Sequence, residues 1–170
     1  FIFAITGCES EETLEFVNRC AACWGMDIVW VESLVNTEPG KGTRHKVVDY
    51  VTAARNGEPF EDVISKYGIP NQAYPHCTRE LKLAPINSYV NSMGWDDRLM
   101  AVGIRADEVD RMSQSAKQSA IIYPLISMHP TTLDDVNLWW EDQPFNLDLP
   151  QYRGNCVTCW KKSIRKLCTI

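Results

Sequence analysis

Two cysteines near the end of the chain, Cys156 and Cys159, have the Cys-x-x-Cys spacing of metal ligands. Two thiolates at this spacing can point at one ion, but a closed zinc site needs four ligands. The best candidates for the other two ligands are the adjacent residues His76 and Cys77. We therefore expect the chain to fold so that these two pairs meet. A redox-active cysteine pair, or two buried thiols, are the alternatives.

The cysteine count also bears on where the protein works. The chain of 170 residues has seven cysteines, an odd number, and is long enough to bury a core without disulfides. Its first residues are apolar but lack the basic leader of a signal peptide, and no run of 18 apolar residues predicts a membrane span. These features favour a reducing cytoplasm.

The bulk composition is that of one globular domain. Apolar residues make up 45% of the chain, and the net charge is −5 at pH 7. An acidic total argues against a broad nucleic-acid-binding face, although local basic patches remain compatible with it.

The hydrophobic pattern predicts an α/β fold. An apolar run over residues 1–6 is typical of a buried parallel strand, and an acidic first turn after Ser10 begins a helix that runs to about Gly25. A second strand over residues 27–32 completes a βαβ unit. Further predictions are helices over 47–55, 60–67, from His76 onward, after Thr132 and over 160–167, and strands over 98–104 and 120–126.

Cationic side chains near strand ends and helix starts predict an anion site. Arg79 and Lys82 are three residues apart on one helical face. Arg105 follows the predicted strand over 98–104, and in open α/β sheets ligands collect beyond the carboxyl ends of the strands. Arg105 is therefore either an anion clamp or an ion-pair partner of a nearby acid such as Asp107.

A polar loop over residues 36–45 carries three more basic side chains, Lys41, Arg44 and His45. This loop either binds an anion or is a solvated connection between two elements.

Taken together, these motifs resemble the phosphoadenosine-phosphosulfate (PAPS) reductase family, in particular its short phage-type and bacterial members. That family belongs to the PP-loop superfamily of adenine-nucleotide alpha hydrolases. The likeness covers nearly the whole chain and is specific as a set. It rests on Phe3-Ala-Ile-Thr-Gly7, Glu11-Glu-Thr-Leu14, Cys77-Thr-Arg-Glu-Leu-Lys82, Gly103-Ile-Arg-Ala-Asp-Glu108, Tyr123-Pro-Leu-Ile126 and Gly154-Asn-Cys-Val-Thr-Cys-Trp-Lys-Lys-Ser163.

The resemblance implies a Rossmann-like parallel sheet of the PP-loop (HUP) type, flanked by helices. Residues 1–170 would form a single domain, with the Cys-x-x-Cys segment 150–170 packed on it. The ligand would be an adenine nucleotide, ATP or PAPS, used in sulfonucleotide reduction or ATP-dependent sulfur transfer. The residues implied in nucleotide or anion binding are Thr6 and Gly7 beside the adenosine, and Arg79, Lys82, Gly103 and Arg105.

The resemblance also bears on the metal. Cluster-bearing members of the family pair a Cys-Cys dipeptide with a later Cys-x-x-Cys and bind a 4Fe-4S cluster. Here the dipeptide is His76-Cys77, so that one thiolate is replaced by an imidazole. Three cysteines and one histidine are an ordinary zinc shell, whereas a cubane cluster prefers four thiolates. Zinc is favoured, with a 4Fe-4S cluster as the alternative.

Two departures from the family pattern matter. The glycine-rich phosphate loop of the superfamily would precede Phe1, so we expect an N-terminally truncated fold that is inactive by itself. Cys168 lacks the neighbours of the family's C-terminal nucleophile and inherits no catalytic role.

The alternative function is a metal-stabilised module that binds nucleic acid or a protein partner, and homodimerisation through the truncated sheet edge is a further expectation.

Overall fold

In the computed structural model of the protein, the described residues are 1–38, 40–150, 153–154, 156–157 and 159–169. They form two compact units, Phe1–Gly94 with Leu147–Ile170, and Trp95–Asn146. Both units mix helices with small sheets, which confirms the coarse prediction of an α/β fold. The prediction of a single domain stays a prediction. Within the described residues, every helix is too short or too polar to span a membrane.

The first unit is built on the predicted βαβ arrangement. Strand β1 (Ile2–Ile5) and strand β2 (Val29–Leu34) are parallel, and helix α1 (Glu11–Trp24) connects them. Ile5 and Val31 are fully buried, as expected for strands covered on both faces. The carboxyl ends of β1 and β2 therefore open on the same edge of the sheet.

The predicted helix over residues 47–55 is wrong. Strand β3 (Arg44–Val48) occupies the start of this segment and pairs antiparallel with β2, and residues after it form turns. The β-branched pair Val47 and Val48 suits a pleated strand, and the free edge of β2 supplies its hydrogen-bond partners. The local apolar spacing was compatible with a helix, and this long-range pairing overrode it.

A long helical run follows helix α2 (Glu58–Tyr67). It consists of helix α3 (His76–Thr78), a π-helix (Arg79–Leu83) and helix α4 (Ala84–Ser92). Pro85 lies inside this run, and because proline cannot donate a backbone hydrogen bond and crowds the preceding turn, it predicts a kink or a restart of the helix there. The wider π-helical turn lies immediately before that proline, a common way for a helix to absorb such a break.

The second unit holds two very short parallel strands, β4 (Met100–Ala101) and β5 (Ile121–Ile122). A 3₁₀ helix (Ala106–Arg111) lies between them in the chain, and helices α5 (Pro124–Ser127) and α6 (Leu133–Glu141) come after β5. Both predicted strands were therefore too long. The second ends before Pro124 because proline is well suited to the first position of a helix, here α5.

Two apolar clusters hold the first unit together. Ile5, Leu14, Trp30 and Ala53 join the sheet to α1, and Val35, Val63 and Leu81 join β2 to α2 and the π-helix. The C-terminal segment carries helix α7 (Ile164–Leu167), which is shorter than the predicted helix over 160–167. Sheets of three and two strands are too small to establish the predicted Rossmann-like sheet.

Candidate functional site

The end of β1 is a tight turn built around Gly7. Gly7 has φ +77°, and its carbonyl oxygen accepts a hydrogen bond of 2.9 Å from the backbone N–H of Gly57. A Cβ atom at position 7 would lie 3.0 Å from Pro59 Cδ and 3.2 Å from Gly57 Cα. Glycine is therefore required here both by the backbone conformation and by the close approach of the segment before α2.

Thr6, the other predicted residue of this turn, is fully engaged by Glu9. Its backbone N–H lies 3.1 Å from both carboxylate oxygens of Glu9, and its hydroxyl donates to Glu9 Oε1 at 2.6 Å. The carboxylate of Glu9 therefore sits at the carboxyl end of β1, where it offers acceptors to hydroxyl groups. Sequence reasoning missed Glu9, although the Thr-x-x-Glu spacing could have indicated that its carboxylate accepts hydrogen bonds from Thr6.

The first turn of α1 contains two buried hydroxyl groups without a partner. The side chains of Ser10, the N-cap residue, and Thr13 are each 5% exposed, and neither hydroxyl has a hydrogen-bond partner among the described residues. A buried hydroxyl left unpaired costs about 1–3 kcal/mol. The partial positive charge of the helix N-terminus lies at the same place. Each unpaired hydroxyl of this kind calls for an explanation, and a bound ligand, ion or water is one.

The C-terminal cysteine segment meets the same turn. Cys156 forms an isolated antiparallel bridge with Glu9, and the N–H of Val157 donates to the Cys8 carbonyl at 2.9 Å. The Sγ atom of Cys156 lies 3.8 Å from the Thr6 hydroxyl. One half of the predicted cysteine pair is thus located at the end of β1.

The electrostatics of this turn keep its thiols protonated. Burial raises the pKa of Cys8 to about 11, and the neighbouring Cys156 and Glu9 contribute in the same direction. Burial also raises the pKa of Cys156, with Glu9 adding to the effect, while the nearby ammonium group of Lys82 opposes it. Lys82 of the predicted anion pair therefore lies close enough to Cys156 for its positive charge to lower the pKa of the thiol.

His76 and Arg79 belong to a different cluster, at the start of the helical run. The His76 ring stacks on Tyr67 at 5.3 Å and on Tyr74 at 5.9 Å between ring centroids. The Nη2 atom of Arg79 lies 3.3 Å from His76 Nδ1, and its Nε donates to Glu80 at 2.6 Å. Sequence reasoning missed both tyrosines and the carboxylate.

Glu80 is a buried carboxylate that orients Arg79. Its side chain is 8% exposed, and burial by itself would raise its pKa. Hydrogen bonds from the Thr43 hydroxyl and the Arg79 guanidinium outweigh that effect, so that the pKa of Glu80 is below its ordinary value. The guanidinium of Arg79 is thus held in one orientation by an ionised partner inside the π-helix.

The predicted metal ligands do not form a shell in this arrangement. Their donor chemistry suits zinc, but the described part of the chain, which includes His76, Cys77, Cys156 and Cys159, contains no group of three or more such ligands. A ligating histidine normally donates its second ring N–H to an acceptor, whereas His76 Nδ1 faces the donor Arg79. The metal centre stays a prediction.

Arg105 and Gly103 lie in the second unit. Arg105 Nε binds Asp107 at 3.0 Å, and Nη1 lies 3.2 Å from Glu108. The guanidinium holds the pKa of Asp107 below its ordinary value. The ion-pair role expected as an alternative is therefore present, and the role of Arg105 in anion binding stays a prediction. An added Cβ at Gly103 would meet nothing within 4 Å.

The chain is thus a mixed α/β protein with a polar, cysteine-containing site at the end of a parallel strand. It is similar to the uncharacterized nin region protein ORF290 of Escherichia phage lambda, with 33% identity over 171 residues, 98% of this chain and 58% of the phage protein. An uncharacterized protein of Methanocaldococcus jannaschii is 29% identical over 107 residues, 63% of this chain and 17% of that protein. The chain spans less than two thirds of either relative. No protein-family model and no solved structure matches it.

Proposed function

We propose that this chain is part of a PAPS-reductase-like protein with a Rossmann-like fold, which binds an adenine nucleotide, ATP or PAPS, at the carboxyl end of β1. The observation that carries the proposal is the first turn of α1. The buried, unpartnered hydroxyls of Ser10 and Thr13 lie there, directly after the Gly7 turn. A strand end followed by a helix N-terminus is where open α/β sheets bind nucleotides.

The neighbouring side chains support a division of labour in this site. Glu9 presents carboxylate oxygens that accept hydrogen bonds from hydroxyls, a chemistry suited to a ribose. Lys82 supplies positive charge for a phosphate or sulfate. Arg79 lies in the His76 cluster and is oriented by Glu80, so its role in anion binding stays a prediction. The parallel pairing of β1 with β2, and of β4 with β5, supports the Rossmann-like fold. In the intact protein the reaction would be sulfonucleotide reduction or ATP-dependent sulfur transfer.

Calorimetric titration of the purified chain with ATP and with PAPS tests the proposal. We expect saturable binding of at least one of them. Lys82→Gln should weaken it about tenfold, because a hydrogen bond to a charged group is worth about 1.5 kcal/mol or more and roughly 1.4 kcal/mol is a factor of ten in affinity. Lys117→Gln, an exposed lysine of the second unit, is the matched control for the loss of one charge. The proposal would be contradicted if neither ATP nor PAPS binds, or if Lys82→Gln and Lys117→Gln bind the nucleotide with equal affinity.

The metal and the compartment are separate parts of the proposal. All seven cysteines are free thiols in the structure, which agrees with a reducing cytoplasm. Because the four predicted ligands do not form a shell, no step of the proposed reaction is assigned to a metal. Elemental analysis of anaerobically purified protein distinguishes one bound zinc from iron with acid-labile sulfide. Purified protein that contains neither zinc nor iron would show that the prediction of a metal site is wrong.

The alternative function, a module that binds nucleic acid, has one observation in its favour. The stacked rings of Tyr74, His76 and Tyr67 lie beside Arg79, and Tyr74 is 64% exposed. Aromatic stacks with adjacent cations bind the bases of single strands. Salt-dependent binding of an oligonucleotide that is lost in Tyr74→Ala would favour this alternative, and binding unaffected by that variant would remove its support.

Homodimerisation stays part of the proposal as well. Among the described residues β1 pairs only with β2, so that its outer edge has backbone groups available to a second copy. Sedimentation of the purified chain over a range of concentrations tests this expectation, and a monomer at all concentrations would contradict it.

A further inference from the structure

A cavity of about 460 Å³ lies at the carboxyl end of β2, and no residue of the β1 turn is among its lining residues. Among the described residues, its lining includes Leu34, Val35, Asn36, Thr37, Lys41 and Arg44. Leu34 and Arg44 are cross-strand partners, the last residue of β2 and the first of β3. The cavity therefore lies where the parallel strand ends and the chain turns back into the antiparallel strand.

The lining combines an apolar part with two cations. Leu34 and Val35 provide the apolar surface, and Lys41 and Arg44 provide the charge. Lys41 forms an ion pair of 2.6 Å with Glu38, but both side chains are more than half exposed, so solvent weakens the pair. The structure gives Arg44 no ion pair within its described residues. Its guanidinium is free to bind a carboxylate or a phosphate in a bidentate manner.

The loop that carries these residues is fixed at two places. Lys66 of α2 donates through Nζ to the carbonyl oxygens of Asn36 and Lys41, the latter at 2.7 Å. Thr43 donates its hydroxyl to the buried carboxylate of Glu80. The cationic wall is thus held in place before any ligand arrives, which reduces the entropy lost on binding.

We propose that this cavity binds an organic anion, a small molecule with an apolar body and one phosphate, sulfate or carboxylate group. The volume falls in the range of small-molecule sites and is much larger than a single inorganic oxyanion needs. The apolar part of the lining would contact the body of the ligand, and Arg44 and Lys41 would bind its charged group. This site goes beyond the proposed nucleotide site and shares none of its residues.

Phenyl phosphate is a suitable probe, because it combines an aromatic body with one oxyanion. In calorimetric titrations of the full chain we expect saturable binding, at least tenfold tighter than that of inorganic phosphate. Arg44→Gln should weaken it at least tenfold and Lys41→Gln about threefold, since Lys41 is partly neutralised by Glu38. Lys117→Gln changes the net charge equally and should leave the affinity unchanged. Circular dichroism verifies that each variant is folded.

Two further variants separate this site from the nucleotide site. Thr37→Phe narrows the cavity without removing a charge and should weaken phenyl phosphate binding while nucleotide binding persists. Lys82→Gln should weaken nucleotide binding about tenfold and leave phenyl phosphate binding unchanged. If Arg44→Gln binds phenyl phosphate as tightly as Lys117→Gln does, or if only Lys82→Gln affects the probe, the cavity is not the binding site and the inference is overturned. If the chain binds phenyl phosphate in this way but binds neither nucleotide, the proposed nucleotide site fails and the inference about the cavity stands.

Discussion

Replacing Gly7 by alanine tests the tight turn at the end of β1. Alanine at φ +77° costs about 1–2 kcal/mol, because its Cβ crowds the adjacent carbonyl group. The Cβ would also lie 3.0 Å from Pro59 Cδ and 3.2 Å from the Gly57 backbone, so one of them must move. Overpacking of this kind typically costs about 1–3 kcal/mol. We expect Gly7→Ala to lower the free energy of unfolding by about 2–5 kcal/mol.

Gly25→Ala is the matched control. Gly25 ends α1 with φ +59°, and an added Cβ there meets nothing within 4 Å. This variant should lose only the conformational part, about 1–2 kcal/mol. Urea denaturation followed by circular dichroism gives both values, and their difference isolates the steric part. If the two variants are equally destabilised, the segment before α2 does not pack rigidly against the turn, and the reasoning fails.

Three more predictions concern single side chains. Glu80→Gln should cost about 1–3 kcal/mol at pH 7, because the charge-assisted bond from Arg79 is lost. The lowered pKa of Glu80 stabilises the folded state at pH values above the ordinary value of 4.5, and this stabilisation is lost as the pH falls through the pKa of the folded state. The difference in free energy of unfolding between wild type and Glu80→Gln should therefore be smaller at pH 3 than at pH 7. An equal difference at both pH values would contradict this role of Glu80. Thr132→Ala should cost about 1 kcal/mol and speed amide exchange in α6, since the capping box with Asp135 is broken; unchanged exchange rates would argue against the cap. Cys8, whose pKa burial raises to about 11, should be alkylated by iodoacetamide at pH 8 at least tenfold more slowly than the exposed Cys23, and equal rates by mass spectrometry would refute this.

Part of the fold could be predicted because its signals are local. The apolar run before Gly7, the acidic start of α1 and the break at Pro85 each depend on neighbours in the sequence. The strand β3 was missed because its stability comes from pairing with β2, which local periodicity does not report. The strands around residue 100 and residue 121 were overextended for the same reason.

The candidate site was also predicted in part, again because some of its features depend on residue type and others on which residues meet in the fold. The sequence was sufficient to single out the residue types with useful chemistry, such as Lys82, Cys156 and the two residues of the β1 turn. It did not determine which of them meet. The structure brings Lys82 and Thr6 to Cys156, while His76 stacks between two tyrosines beside Arg79.

The sequence by itself determined the βαβ start of the chain, the glycine at its turn and the inventory of cysteines and basic side chains, because these depend on residue type and short-range spacing. Only the tertiary structure decided that Glu9 holds Thr6, that Glu80 is buried under Arg79, and that a cationic cavity opens beyond β2. Thr6 and Glu9, like Arg79 and Glu80, are close in the chain, but whether their side chains meet depends on side-chain direction and on the packing around them. Their energies depend on burial and geometry, which no sequence pattern specifies.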